Sequence, residues 1–340
     1  MKRNDKLLLK TIRGETTPRR PLWIMRQAGR YLPEYREFRK KHSFKALASE
    51  PELAAEVTLM PLKRYPLDAA IVFADIMSPM PALGIEFDFD PGPVVANPIR
   101  DAAAIERLKR PAPEEIAPEV IAALKLTRAA LPNGTALLGF CGAPWTLAAY
   151  LVEGKGAKDF PTLRAFAAAE PKLLDALLGR LSSLMAEYLV AQAAAGADAV
   201  QIFDSWAGLL SRASWERLIR PHLLSLLEAV GKAGVPRILF LQNAPHLMDA
   251  YASLPAEVLG VDWRVELPAL KQRYPERAVQ GNLEPAILTA GAAATRAAAQ
   301  ELLATTPARG HVVNLGHGIL PQTPLESVAA LVEVVHSEEL

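Results

Sequence analysis

The feature that most constrains this 340-residue chain is a series of eight short apolar runs separated by segments of helical character. The runs occupy residues 22–25, 69–74, 136–143, 199–203, 237–241, 258–261, 278–283 and 311–315. Apolar runs of this length, alternating with helices, are the pattern of parallel strands buried on both faces. Eight such strand–helix units predict an α/β fold, a single (β/α)₈ TIM barrel over residues 1–340. Length alone would suggest about two domains, but barrels run longer than average as one unit.

The spacing is uneven. About sixty residues separate the second and third runs. They include residues 85–93, which read as a strand ending in a turn, and a helix from about Asp101. This stretch is predicted to be an insertion between the second and third strands. Helices are expected over 51–65, 161–195, 214–232, 291–304 and 323–336. The first carries Glu52 and Glu56 early and Lys63 and Arg64 late, as the helix dipole prefers. Ser214 is the expected N-cap of the third, with Gly234 just past its end.

Composition narrows the function. Hydrophobic residues make up 51% of the chain, ample for a large core, and 38 Lys and Arg nearly cancel 37 Asp and Glu, for a net charge of +1. No global field draws in nucleic acid or an anionic membrane, so any electrostatic site must be local. The single cysteine, Cys141, makes neither an internal disulfide nor a cysteine-based zinc cluster, and it reads as a small buried residue of the third strand. The basic start has an apolar run only from Leu7 to Leu9, too short for a signal-peptide core. The uncharged stretch 129–152 is broken by Pro132, Gly134, Gly139, Gly142 and Pro144, so it reads as turn, strand, loop and helix, not as a bilayer crossing. A cytoplasmic location is expected.

In a barrel the reacting groups sit where strands end and loops begin. The first run ends in Arg26, with Arg30 four residues on, and Gln27, Ala28 and Gly29 lie between them. On a helical turn this spacing puts two guanidiniums on one face, suited to a ligand with more than one carboxylate. Gly29 permits close backbone approach. The alternative is a surface pair bound to Glu34 or Glu37. Asp75 ends the second run, behind six apolar residues. A carboxylate there is partly desolvated; it either pairs permanently with an arginine or awaits a positive charge developing on the substrate. Other runs end in Asp204 and Ser205, in Asp262, in Asn282 and Glu284, and in Gly316-His317-Gly318. Tyr150 follows the third. Tyr150 and Ser205 offer hydroxyls without the neighbours of an activated nucleophile. The glycines beside His317 leave its ring free to point into the mouth or merely to cap a turn. There is no P-loop, dinucleotide fingerprint or His-Glu-x-x-His, and no metal-ligand set stands out, so no cofactor is expected.

These motifs resemble those of the uroporphyrinogen decarboxylase family. The segment Met25-Arg-Gln-Ala-Gly-Arg-Tyr-Leu-Pro-Glu34 carries the resemblance most specifically. It continues in Gly139-Phe-Cys-Gly-Ala-Pro-Trp-Thr-Leu147 through Tyr150, in Phe203-Asp-Ser-Trp-Ala-Gly208, in Gln280-Gly-Asn-Leu283 and in Asn314-Leu-Gly-His-Gly318. The resemblance implies a homodimeric, cofactor-independent (β/α)₈ enzyme that removes the four acetate carboxylates of uroporphyrinogen III as CO₂, giving coproporphyrinogen III. It implies that Arg26 and Arg30 hold carboxylates with the backbone of Gln27, Ala28 and Gly29, that Asp75 meets the pyrrole N–H groups, that Tyr150, Ser205 and His317 line the rim, and that Phe140 and Phe203 form an apolar wall. Asp75 and Arg26 are the expected catalytic pair; Arg26, a bound water and a substrate carboxylic acid are all candidates for the proton donor. After the fifth run the family pattern has Lys-Gly, where this chain reads Gln242-Asn243. Two other functions fit part of the pattern: a zinc-dependent corrinoid methyltransferase on the same barrel, which one cysteine disfavours, and a non-catalytic tetrapyrrole carrier, which needs no Asp75.

Overall fold

The computed structural model describes residues 5–89 and 92–340. Nine strands form: β1 (Ala69–Ile71), β2 (Phe87–Phe89), β3 (Pro93–Val95), β4 (Ala136–Gly142), β5 (Ala199–Asp204), β6 (Arg237–Leu241), β7 (Val258–Val261), β8 (Ala278–Leu283) and β9 (His311–Leu315). Seven of them build one parallel sheet in the order β1-β4-β5-β6-β7-β8-β9, and β2 and β3 pair antiparallel beside it. Each sheet strand is followed by helix before the next sheet strand, the route a parallel neighbour requires. The sheet is curled. Alternate residues of its strands, among them Ala69, Ala136, Ala199, Ile238, Val258, Ala278 and Val312, gather into one apolar cluster on the concave side with Trp23 and Met25. Leu8, Leu9 and Ile12 of the helix Leu7–Ile12 join that cluster.

The first apolar run behaves differently from the others. Leu22 makes only a parallel bridge to Val313. Yet the chain here bonds on both sides. Val313 donates its N–H to Pro21 O at 2.9 Å, and Asp68 donates its N–H to Leu22 O at 2.9 Å. Side chains replace the remaining ladder bonds. Asp68 Oδ2 accepts from Leu22 N–H at 2.8 Å, Gln27 Oε1 from Ile24 N–H at 3.0 Å, and Asn314 Oδ1 from Met25 N–H at 2.9 Å. The run is strand-like in sequence and Trp23 N–H still donates to Val313 O at 3.4 Å, but the N–H groups of Leu22, Ile24 and Met25 go to carboxylate and amide side chains, which cannot extend a ladder.

The second run is likewise short. Val72 N–H still donates to Leu138 O of β4 at 3.0 Å, but Phe73 N–H donates to Thr58 Oγ1 at 2.8 Å instead of to a strand. The expected strand over 85–93 appears as β2, and its partner β3 was not anticipated; the turn expected at its end lies partly outside the described residues. The helix expected over 161–195 is two, Pro161–Ala169 and Pro171–Ala194. Pro171 lacks the N–H a continuous helix needs, so it opens a new one. Ser214 is not an N-cap. Ser211 caps the helix Arg212–Leu218 by accepting from Ser214 N–H at 3.2 Å, which places Ser214 inside it. Cys141 is buried in β4, and burial pushes its thiol well above the ordinary range, as suits a packing residue. Among the described residues no helix is long and apolar enough to cross a membrane.

Candidate active site

The residues singled out at strand ends come together at the carboxyl end of the sheet. Arg26 and Arg30 do not share a helix face. Arg26 lies in a turn with φ 61°, and the helix begins only at Pro33. The reason is local: Gln27 is buried and spends its side chain on the chain itself, accepting from Ile24 N–H and donating to Ala69 O at 3.0 Å. Gly29 also serves the turn. A Cβ there would lie 2.9 Å from Arg26 O, so its small size fits the loop to itself before any ligand arrives. Both arginines remain exposed. Glu34 is taken by Arg64 at 3.0 Å and Glu37 by Lys40 at 2.7 Å, so neither carboxylate neutralises Arg26 or Arg30. The N–H groups of Ala28, Gly29 and Arg30 have no acceptor among the described residues. Two cations and a row of open donors suit a carboxylate-rich ligand.

Asp75 lies deep at this end. Its Oδ1 accepts from Met77 N–H at 2.9 Å, and Ser78 Oγ accepts from its own N–H at 3.3 Å. No arginine forms an ion pair with it among the described residues, so the permanent pair foreseen as one option is absent. Burial raises its pKa; the Met77 bond and the nearby Arg26 charge oppose that rise. The same Arg26 charge reaches Tyr150 and His317. Arg26, Asp75, Tyr150 and His317 therefore share one electrostatic environment although up to 291 positions of sequence separate them.

His317 is held in a narrow place. A Cβ at Gly318 would come within 2.8 Å of Arg26 Cγ, and one at Gly316 within 2.6 Å of Trp263 N. The two glycines are thus needed for close packing, with Arg26 on one flank and Trp263 on the other. Burial and the Arg26 charge lower the His317 pKa to about 4, against a weaker pull from Asp262, so the imidazole is neutral at pH 7.

Tyr150 and Ser205 are joined through residues that the sequence reading passed over. Tyr150 stands four residues after Thr146 on the helix Pro144–Glu153. Thr146 Oγ1 accepts from Ser205 N–H at 3.0 Å and donates to Asp204 Oδ1 at 3.0 Å. The Tyr251 hydroxyl donates to the other Asp204 oxygen and accepts from Trp215 Nε1 at 3.0 Å. Asp204 is fully buried with no cation, and burial pushes its pKa up to about 6 against those two hydrogen bonds. Its side chain is spent on Thr146 and Tyr251 and fixes loops, whereas Ser205 beside it is half-buried. Thr146 lies within the motif already noted, and that was the available signal. Phe140 and Phe203 meet edge to face at 5.6 Å, and Phe203 meets Phe240 at 5.8 Å, so the expected wall has a third member. Asp262 and Asn282 are structural: Asp262 accepts from Asn243 N–H at 2.6 Å, and Asn282 donates to Asp262 O at 2.9 Å.

Residues 3–338 match the family model described as uroporphyrinogen decarboxylase (URO-D). The chain belongs to the uroporphyrinogen decarboxylase family. A uroporphyrinogen decarboxylase of Carboxydothermus hydrogenoformans is 44% identical over 332 residues, covering 96% of this chain and 95% of that protein. One from Sorangium cellulosum is 45% identical over 333 residues, covering 97% and 95%. Among solved structures, a methyltransferase from Methanosarcina mazei superposes with a TM-score of 0.78 over 97% of both chains at 22% identity, a likeness of fold. Among the described residues no group of three or more His, Cys, Asp or Glu side chains is placed to hold a metal ion.

Proposed function

We propose that this chain is the carboxy-lyase that converts uroporphyrinogen III to coproporphyrinogen III in porphyrin and heme biosynthesis. Family membership supports the activity, and the carboxylate of Asp75, with no ion pair among the described residues and within reach of the Arg26 charge, is the observation that carries the mechanism. The substrate is a flexible macrocycle with eight carboxylates. Arg26, Arg30 and the open N–H groups of residues 28–30 hold carboxylates; Tyr150, Ser205 and neutral His317 supply polar contacts at the rim. Phe140, Phe203 and Phe240 are the apolar wall against which the pyrroles pack.

Breaking the bond between an acetate methylene and its carboxylate leaves an electron pair that needs a sink. Protonation of the adjacent pyrrole carbon supplies it. The ring becomes a cation, the carbon–carboxylate bond breaks, its electrons neutralise the ring, and CO₂ departs. A proton then adds at the methylene carbon to complete the methyl group, and the ring carbon gives back the first proton to restore the pyrrole, so one proton is taken up for each CO₂ released. Asp75 gathers the pyrrole N–H groups and stabilises the cation as it forms, a charge held in place before reaction. Arg26 orients the departing carboxylate next to it. The four acetates react by the same chemistry in one site.

We further infer that residues 21–25 are the eighth stave of a closed (β/α)₈ barrel, with the β2–β3 region an insertion upon a single domain. The bonds from this stretch to both Val313 and Asp68 support that closure. The working unit is a cytoplasmic homodimer, as the family resemblance implies. The test of function is anaerobic incubation with uroporphyrinogen III and no added cofactor, with product carboxylates counted by chromatography after oxidation. Stepwise loss from eight to four is the expected result; unchanged substrate alongside intact protein overturns the reading.

A further inference from the structure

The arc of the mouth formed by β5, β6 and β7 carries little positive charge. After β5 the chain reads Asp204-Ser205-Trp206-Ala207, and after β6 Gln242-Asn243-Ala244. Arg212 opens the helix after β5 and is paired with Glu216; the cation nearest a strand end on this side is Arg264, two residues past Asp262, which follows β7. In the sheet order β7 stands four strands from β1, the strand that leads to Asp75, and Arg26 belongs to the segment on β1's far side. Arg26 and Arg264 thus stand at different parts of one rim.

Arg264 is held, not loose. Its guanidinium carbon lies 4.3 Å from the centre of the Trp263 ring, and one terminal nitrogen, Nη1, donates to Asp262 Oδ2 at 2.9 Å. Its backbone N–H donates to Asp262 Oδ1 at 3.0 Å. Asp262 is buried and also accepts from Asn243, so the anchor is fixed to two loops. Trp263 packs on Gly316, whose missing Cβ would lie 2.9 Å from the indole carbon Cε3. The segment Gly316-His317-Gly318 is therefore gripped by Arg26 at one end and Trp263 at the other. Despite this anchorage the Arg264 side chain is 42% exposed, and its remaining N–H groups have no acceptor among the described residues. A guanidinium stacked on an indole, with a free donor edge at the rim, is preorganised for planar recognition of a carboxylate.

We propose that Arg264 is a third arginine of the substrate site, which takes a peripheral carboxylate of the macrocycle on the side opposite Asp75. The proposal rests on the decarboxylase reading. It follows from the shape of the ligand: carboxylates are distributed around the whole rim, and Arg26 and Arg30 come from a single loop. Asp262 is buried and holds the guanidinium through Nη1 alone when the site is empty, so the other guanidinium N–H groups, on the exposed side, are left for a ligand carboxylate.

The experiment compares wild type, Arg264→Gln and Arg264→Lys in three readouts: KM and kcat for the first decarboxylation, binding of the oxidised eight-carboxylate porphyrin as a non-reacting ligand, and melting temperature. The Gln variant is expected to raise KM and the porphyrin Kd roughly tenfold, with kcat within about twofold and melting temperature unchanged, because a rim charge acts on binding. The Lys variant recovers part of the loss. Unchanged KM and Kd in Arg264→Gln overturn the proposal, leaving Arg264 as the lid of its own turn. Equal losses in both variants with a lowered melting temperature overturn it as well, since charge would then be immaterial. Wild-type protein that binds the porphyrin but releases no CO₂ refutes the decarboxylase reading, while the Kd comparison still judges Arg264.

Discussion

Replacing Asp75 with Asn separates the charge of this residue from its place in the fold. Asp75 Oδ1 accepts from Met77 N–H at 2.9 Å, and an amide oxygen can make the same bond. The Ser78 contact uses the backbone N–H and is untouched. What the substitution removes is a half-buried negative charge whose pKa desolvation raises and which has no ion-pair partner among the described residues. In the free enzyme that charge is a cost, so Asp75→Asn is expected to melt at the wild-type temperature or above it. In the reaction the carboxylate accepts from the pyrrole N–H groups throughout but faces an opposite full charge only while the pyrrole cation exists. At about 4 Å and an effective dielectric near 20, that attraction is worth roughly 4 kcal/mol. An interaction confined to the transition state appears wholly in kcat, and 4 kcal/mol corresponds to about a thousandfold. The Asn amide dipole retains part of it, so a fall of roughly 10²- to 10³-fold is expected. The assay is kcat from chromatographic counting of carboxylates, with porphyrin binding and thermal melting on the same preparations. A variant within tenfold of wild type in kcat would refute the claim that Asp75 stabilises a developing cation. A large drop in melting temperature would refute the claim that its charge is an expense to the free protein.

Two further outcomes follow from the geometry. In Gly318→Ala the new methyl meets Arg26 Cγ at 2.8 Å and Nε at 3.0 Å, so the guanidinium must swing away; kcat/KM is expected to fall roughly ten- to a hundredfold with little change in melting, as for any misplaced clamp, and an unchanged kcat/KM would show that Arg26 is not set by this contact. Asp204 binds its proton more tightly in the folded protein, about 6 against an ordinary 3.8, so its contribution to stability is full below the unfolded value and is lost as pH rises through about 6. The loss is roughly 3 kcal/mol, and Asp204→Asn lacks it. In denaturant titrations the variant should therefore gain on wild type by about that amount between pH 4 and pH 7; a difference independent of pH would mean that Asp204 is not the group responsible.

Much of this protein was legible in its sequence. β6, β7, β8 and β9 coincide with their apolar runs, because a strand buried on both faces has no polar alternation to blur its ends. The positions of Arg26, Asp75, Ser205 and His317 just past apolar runs, and of Tyr150 on the helix after β4, also followed from pattern and family motif, since parallel strands deliver their carboxyl ends to one face. Tertiary structure decided what each side chain does there. Two packing roles were not legible: the Gln27 side chain ties the first run to β1, and the small size of Gly29 makes room for Arg26 O. The helical spacing of Arg26 and Arg30 misled because buried amide bonds from Gln27 outweigh a weak local preference. Asp204 and Ser205 are adjacent in sequence but differ in setting, because the Asp204 carboxylate is spent on Thr146 and Tyr251 whereas Ser205 meets Thr146 only through its backbone N–H. Arg264 was unmarked in the sequence, since its setting consists of Trp263, Asp262 and a glycine more than fifty positions away. Local pattern fixes which residues lie on a strand, in a helix or at a strand's end. Which of those residues stay free for a ligand depends on partners that only the closed packing of distant loops supplies.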